Sequence, residues 1–374
     1  MTDMAKWLRG VSLAGLCSVA LCAQGASYDV VVIQPPLGGS SGVRAISESG
    51  DIAGYYYEAP SNYYTRQFAA IGGQSIVPMG WVNTSSSSAA LDVNANGQVL
   101  WANLSWDYNG PNSVLYNSQS NSYTTLPGLA RSINEAGVVA GTSFTPGRVH
   151  SAAYVYSQGN LVTLGDLDGG LQQVSAASIN NHGTVVGVAR IAADGLIDGV
   201  ARAYVYDAQG MTNLGTLGGL ASGATDVNDA GLIVGSSTVA GTEASHAFMY
   251  QGGQMFDLGV PEGASSSWAI AVNNAGQILV GASDTTGQSV GTFVYQNGQW
   301  VNLSNEVTLL DGWRFSQAVD INDKGQIAAE AFNPDGWRTQ ALRLDPITAV
   351  PEPASWALML VGLSMLSWVR RARA

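Results

Sequence analysis

The chain has 374 residues, 46% apolar and only 11% charged, with 46 glycines, 12 prolines and a net charge of −12 at pH 7. That acidic balance excludes a nucleic-acid-binding protein, which needs a basic footprint, and suits solubility among acidic polymers or binding of cations. Both cysteines, Cys17 and Cys22, lie near the N-terminus, so the fold that follows is held without disulfides.

Lys6 and Arg9 precede the apolar run from Val11 to Leu21, and small residues follow, in the order of a secretory signal peptide. Cleavage is expected after Gly25 or Ala26, which removes residues 1–26. Leu16 and Leu21 stand before the cysteines where a lipoprotein signal would place a small residue. With the charged residues Asp3, Lys6, Arg9, Arg370, Arg371 and Arg373 of the two ends set aside, ten basic residues face 26 acidic ones.

From Ala45 onward one phrase returns seven times: AISESGDIAG, LDVNANGQV, SINEAGVVAG, SINNHGTVVG, DVNDAGLIVG, AVNNAGQILVG and DINDKGQIAA. Its key position falls at Ser47, Asn94, Asn134, Asn180, Asn228, Asn273 and Asn322, each with glycine three residues later. The mean spacing of about 46 residues points to a propeller or a similar array. Asn-x-x-Gly reads as a turn between two strands, in which Asn caps the turn and Gly takes the positive φ needed to leave it. A third strand follows (AYVY at Ala153 and Ala203, AFMY at Ala247, TFVY at Thr292), then a short hairpin and a fourth strand such as LVTLG.

Four short strands per unit is the content of a propeller blade. The seventh unit reaches only its third strand, TQALRL, whereas YDVVVIQPPLGG near the N-terminus aligns with the fourth-strand segment MTNLGTLGG. The expectation is an all-β, seven-bladed propeller over residues 27–346, its last blade completed by the N-terminal strand. An open β-solenoid is the alternative.

Few residues suggest chemistry. Asp92-Val93-Asn94-Ala95-Asn96-Gly97 matches the first half of a helix-flanked calcium loop, but Asn103 replaces the twelfth-position acid and strands flank it, so it reads as a hairpin turn, with Asp226 and Asp320 as turn-supporting acids. His150, His182 and His246 are too dispersed for a metal site. No nucleophile elbow and no phosphate-cradling loop opens a helix, so no catalytic residue, metal or cofactor is expected. The aromatic segment YYYEAPSNYYTR places Tyr55, Tyr56, Tyr57, Tyr63 and Tyr64 in the connection between second and third strands of the first unit. Trp101, Trp106 and Tyr108 follow in the next unit, and Asp-Gly-Trp-Arg occurs at Asp311 and again at Asp335. The five tyrosines are a candidate glycan contact, but because aromatic residues are more often core, the expectation is that alternate tyrosines pack between blades while the others decorate an edge.

The chain ends in VPEPASWALMLVGLSMLSWVRRARA, with an uncharged stretch over 354–369 and then Arg370, Arg371 and Arg373. A helix of this length spans roughly 24 Å, enough for a marginal transmembrane anchor with its arginines on the cytoplasmic side. Pro351-Glu352-Pro353, the apolar stretch and the arginine cluster resemble the PEP-CTERM sorting signal of Gram-negative bacteria. The resemblance implies export, recognition of Pro-Glu-Pro by an exosortase, removal of the helix, and delivery to the cell surface or an exopolysaccharide or biofilm matrix. A retained membrane anchor over 347–374 is the alternative.

The unit GTLGG…ATDVNDAGLIVG…SHAFMYQGGQMFDLG resembles the HAF family of extracellular repeats, though the His-Ala-Phe triplet occurs only at His246. That resemblance implies location and architecture and no activity. The expected function is a non-enzymatic surface scaffold that meets extracellular polysaccharide, exosortase and, at least transiently, the membrane. The alternative is a glycosidase or lyase with paired acids in a propeller channel.

Overall fold

The computed structural model describes residues 27–35, 39–57, 65–76, 87–103, 113–145, 150–168, 170–193 and 196–347. The expected signal peptide, the sorting signal Pro351, Glu352, Pro353, Arg370, Arg371 and Arg373, and the helix 354–369 lie outside the described residues. Within them every regular element is a strand except one 3₁₀ turn, Leu303–Asn305. No helix among the described residues is long and apolar enough to cross a membrane.

The strands form five four-stranded sheets and one of eight. The eight-stranded sheet divides into two antiparallel four-stranded meanders joined by a single parallel pair, Ser151 with Gln173. In each meander chain order is spatial order, with one exception. The last repeat supplies Arg314–Ile321, Ile327–Asn333 and Arg338–Pro346, and the strand beside Arg338–Pro346 is the N-terminal Tyr28–Val32. Tyr28 pairs with Pro346 and Val32 with Leu342.

The repeated turn does what its residues dictate. The glycine three residues after the key position has positive φ in every copy, from 70° at Gly97 to 90° at Gly50, a region any Cβ would strain. In the six asparagine copies Oδ1 accepts the backbone N–H four residues on, at 2.9 Å from Val138 and 3.0 Å from Gln98, for example.

Each strand preceding this turn carries a bulge just before its end, between Val43 and Ala45, Ala90 and Asp92, Ala130 and Ser132, and at the same place in the other four. A bulge re-aims the side chain that follows it. Here it turns Asp92, Asp226 and Asp320 away from their own sheets toward the next one.

The core is distributed over the seams. Buried apolar residues form seven clusters, each drawn from two neighbouring meanders. One joins Val43, Ile52 and Phe68 of the first repeat to Ala328 and Ala341 of the last. Glycine also permits close approach within a sheet: a Cβ on Gly54 would lie 2.2 Å from the carbonyl oxygen of Gly42 on the adjacent strand.

Antiparallel connectivity sorts the connections by end. The Asn-x-x-Gly turns and the outer hairpins share one face, the turn face. The longer links between second and third strands, and those between units, share the opposite loop face. Ile347 N–H donates to Ser27 O at 2.9 Å, so both ends of the described chain leave together from the turn face.

Candidate functional site

The inner strands bring the key residues of all copies around one axis at the turn face. Asn94 Nδ2 donates to Asn134 O, Asn134 to Asn180, Asn180 to Asn228, Asn228 to Asn273 and Asn273 to Asn322, all at 2.9–3.0 Å. Asn322 Nδ2 then donates to Ser47 O at 2.9 Å, across 275 residues of chain. The asparagines are 1–6% exposed, and each side chain makes both a local and an inter-unit bond. Serine at position 47 has no amide to donate, so the relay stops there.

One residue outward a second relay runs the same way. The carboxylate of Glu135 accepts from Ala95 N–H, Asn181 Oδ1 from Glu135 N–H, Asp229 from Asn181, Asn274 from Asp229, Asp323 from Asn274, and Glu48 from Asp323. Glu48, Glu135, Asp229 and Asp323 therefore sit on one mouth. Partial burial, then the nearby Asp323, pushes the Glu48 carboxyl up. Burial raises that of Glu135 as well, whereas the side-chain and backbone amides of Asn181 outweigh burial at Asp229 and hold it low.

Below the rim lies a polar cavity of about 160 Å³ whose wall includes Asp92, Asp226 and Asp320. Each carboxylate bridges two sheets. Asp92 accepts from Val93 N–H and from Ile133 N–H of the next unit, both at 2.8 Å. Asp226 accepts from Val227, Val272 and Ser178 Oγ, and Asp320 from Ile321 and Ile46. Burial pushes the Asp92 carboxyl up to about 7 against these bonds, and Asp226 adds repulsion. Burial also raises Asp226, and raises Asp320 well above the usual range with repulsion from Asp226 and Asp92. The sequence reading of Asp226 and Asp320 as turn-supporting acids is corrected: they tie one unit to the next.

Among the described residues no arginine lines this cavity. Arg44 lies 5.2 Å over the Tyr55 ring, and burial together with Arg44 holds the Arg131 guanidinium below its ordinary value. Glu330, 5% exposed, accepts Val43 N–H at 3.0 Å across the seam between last and first repeats, and Gln317 Nε2 of its own repeat at 2.9 Å. Among the described residues no three His, Cys, Asp or Glu side chains could hold a metal ion.

Of the five tyrosines, three lie among the described residues. Tyr55, Tyr56 and Tyr57 belong to the strand Ile52–Tyr57 rather than to the connection after it. Strand alternation sends Tyr56 into the core at 4% exposed, while Tyr57 is 38% exposed and packs edge-on to Tyr55. Tyr63 and Tyr64 lie outside the described residues. His182 sits in the Asn180 turn with its side chain 69% exposed, and His246 pairs with Asp257 at 3.0 Å on an outer strand.

In fold the chain is similar to oligogalacturonate lyase from Vibrio parahaemolyticus, with 10% identity over 87% of this chain and 98% of that one at a TM-score of 0.52. An oligogalacturonate lyase in complex with manganese gives 11% identity, 87% and 97% coverage and a TM-score of 0.51. The β-propeller domain of the Trilobed protease from Pyrococcus furiosus gives 10% identity, 75% and 88% coverage and a TM-score of 0.51. At these identities the likeness establishes a propeller-like fold and nothing about activity. No curated protein matches the chain in sequence. Residues 349–374 match the PEP-CTERM protein-sorting motif, which implies an exported protein of Gram-negative bacteria that is processed by an exosortase. Residues 112–336, more than half of the chain, match the model described as protein of unknown function (DUF3466), and the chain belongs to that family.

Proposed function

We propose that this protein is a non-enzymatic scaffold, exported and sorted by an exosortase, that holds extracellular polysaccharide or a biofilm matrix at the cell surface with its loop face. The scaffold is a closed ring of seven four-stranded, HAF-like blades. Three features support closure: the pairing of Tyr28–Val32 with the last strand, the Asn322 to Ser47 bond, and the apolar cluster that joins first and last repeats.

The observation that carries the non-enzymatic reading is the engagement of Asp92, Asp226 and Asp320 by backbone N–H groups on both sides of a seam. Carboxylates fixed as struts serve rigidity. The departure of both described ends from the turn face leaves the loop face directed away from any tail, as a presenting surface requires. The test compares cells with and without their exosortase by fractionation and intact mass. Loss of the residues after Pro-Glu-Pro and surface delivery only in the presence of the enzyme supports the reading; a helix kept in both strains refutes sorting and leaves a membrane-anchored protein.

One observation favours a second reading, a glycan-active enzyme. The Asp92 carboxyl, held at about 7, could hold or release a proton near neutrality. Incubation with polysaccharides and assay for new reducing or unsaturated ends decides it. Turnover abolished by Asp92→Asn supports an enzyme, and absence of new ends with every polymer that binds rejects it.

A further inference from the structure

The Asp-Gly-Trp-Arg motif occurs twice, and the fold brings the two copies together. The first leads into the strand Arg314–Ile321 and the second links Ile327–Asn333 to Arg338–Pro346, both at the loop face. They adjoin: a Cβ on Gly312 would lie 3.4 Å from Asn333 Nδ2 and 3.9 Å from Asp335 Oδ2.

Trp313 helps to line a cavity of about 580 Å³ between its own loop and the sheet, with Leu309, Val32 and Leu342 as further apolar wall and Gln34 and Gln340 as polar groups. That volume is in the range of small-ligand sites. Leu310 beside it is 78% exposed. Trp337 is 84% exposed and packs edge-on to Phe332 at 5.8 Å. Its φ is +48°, whereas the other non-glycine residues with positive φ among the described residues are Asn121, Gln158, Gln172 and Asn297. The edge contact with Phe332 leaves most of the Trp337 ring in water, and backbone strain of this kind collects at functional sites.

The charges narrow the ligand. Arg314 and Arg338 are exposed and form no ion pair with a described residue, and Asp311 and Asp335 are exposed beside them. Two guanidinium and two carboxylate groups leave the corner without net charge, while the acidic rim lies on the opposite face. This balance matches an uncharged chain rich in hydroxyl groups and disfavours a polyanion or polycation.

We infer that this corner of the loop face binds pyranose rings of a neutral polysaccharide. Trp337 and Trp313 offer flat apolar surfaces to the C–H faces of the sugar, and the Asp and Arg side chains accept from and donate to its hydroxyl groups. The inference rests on the matrix-binding reading and takes its contact residues from the last repeat.

The test is native affinity electrophoresis of the exported protein through gels that contain a neutral glucan or a uronate polymer. The expected result is retardation by the glucan, weakened roughly tenfold or more by Trp337→Ala and unchanged by Phe256→Ala, an exposed aromatic on another blade. Retardation that survives Trp337→Ala and Asp335→Asn, or that occurs only in uronate gels, overturns the site while leaving matrix binding in place. Absence of retardation of the unaltered protein by either polymer overturns the matrix-binding reading, and the site with it.

Discussion

Asn322 donates its side-chain amide to the backbone carbonyl of Ser47 at 2.9 Å, joining residues 275 positions apart. The same side-chain-to-carbonyl bond links neighbouring repeats elsewhere, so the first and last repeats share a contact of the internal kind.

Removal of that amide should be costly. Asn322 is 1% exposed, and its truncation leaves Ser47 O, Lys324 N–H and Gln326 N–H without their partner. Asn322→Ala should destabilise the fold by about 2–4 kcal/mol in urea unfolding. Ser47→Asn, which restores the missing donor toward Asn94 O, should stabilise by about 1 kcal/mol. A neutral or destabilising Ser47→Asn would show that the first repeat departs from the common geometry.

Stability should fall as pH rises. The carboxyls of Asp92, Asp226 and Asp320 are raised in the folded chain, so between the unfolded value near 4 and the folded value, about 7 for Asp92, the folded state binds more protons than the unfolded one. Their contribution is greatest at acidic pH and is lost on the way to pH 8. Calorimetry should give a Tm several degrees lower at pH 8 than at pH 5, with a shallower slope for Asp226→Asn. A Tm that rises over this interval would contradict the burial of these acids.

Deletion of Tyr28–Val32 should leave the edge of Arg338–Pro346 unpaired and uncover part of the cluster that includes Leu342 and Leu344. The expected outcome is aggregation in light scattering and faster proteolysis near the C-terminal repeat. Unchanged stability would mean that the N-terminal strand is dispensable to the sheet of the last repeat.

Trp337→Gly should stabilise the protein by roughly 0.5–1 kcal/mol even as it removes an aromatic surface, because glycine adopts φ +48° without strain and the lost side chain is 84% exposed. Chemical denaturation checks the sign, and a loss of stability would show that Phe332 relies on the contact.

Much of the architecture was legible because it is local and repeated. Asn-x-x-Gly names a turn wherever it occurs, and the positive φ at Gly97, Gly231 and Gly325 follows from the residue type. The spare strand YDVVV could be assigned to the last repeat because its segment aligns with the fourth strand MTNLGTLGG of another repeat, the strand that the last repeat lacks. A run of aromatic residues does not reveal where a strand ends, so only the structure shows that strand alternation buries Tyr56 and exposes Tyr57.

By itself the sequence determined an all-β chain of repeated four-strand units with a sorting motif at its end, since turn chemistry and hydrophobic period act over a few residues. Only tertiary structure decided that Asp92, Asp226 and Asp320 share one cavity wall, and that two Asp-Gly-Trp-Arg turns meet at one corner. Proximity across tens to hundreds of residues depends on how the sheets pack around their axis, and no local pattern carries that distance.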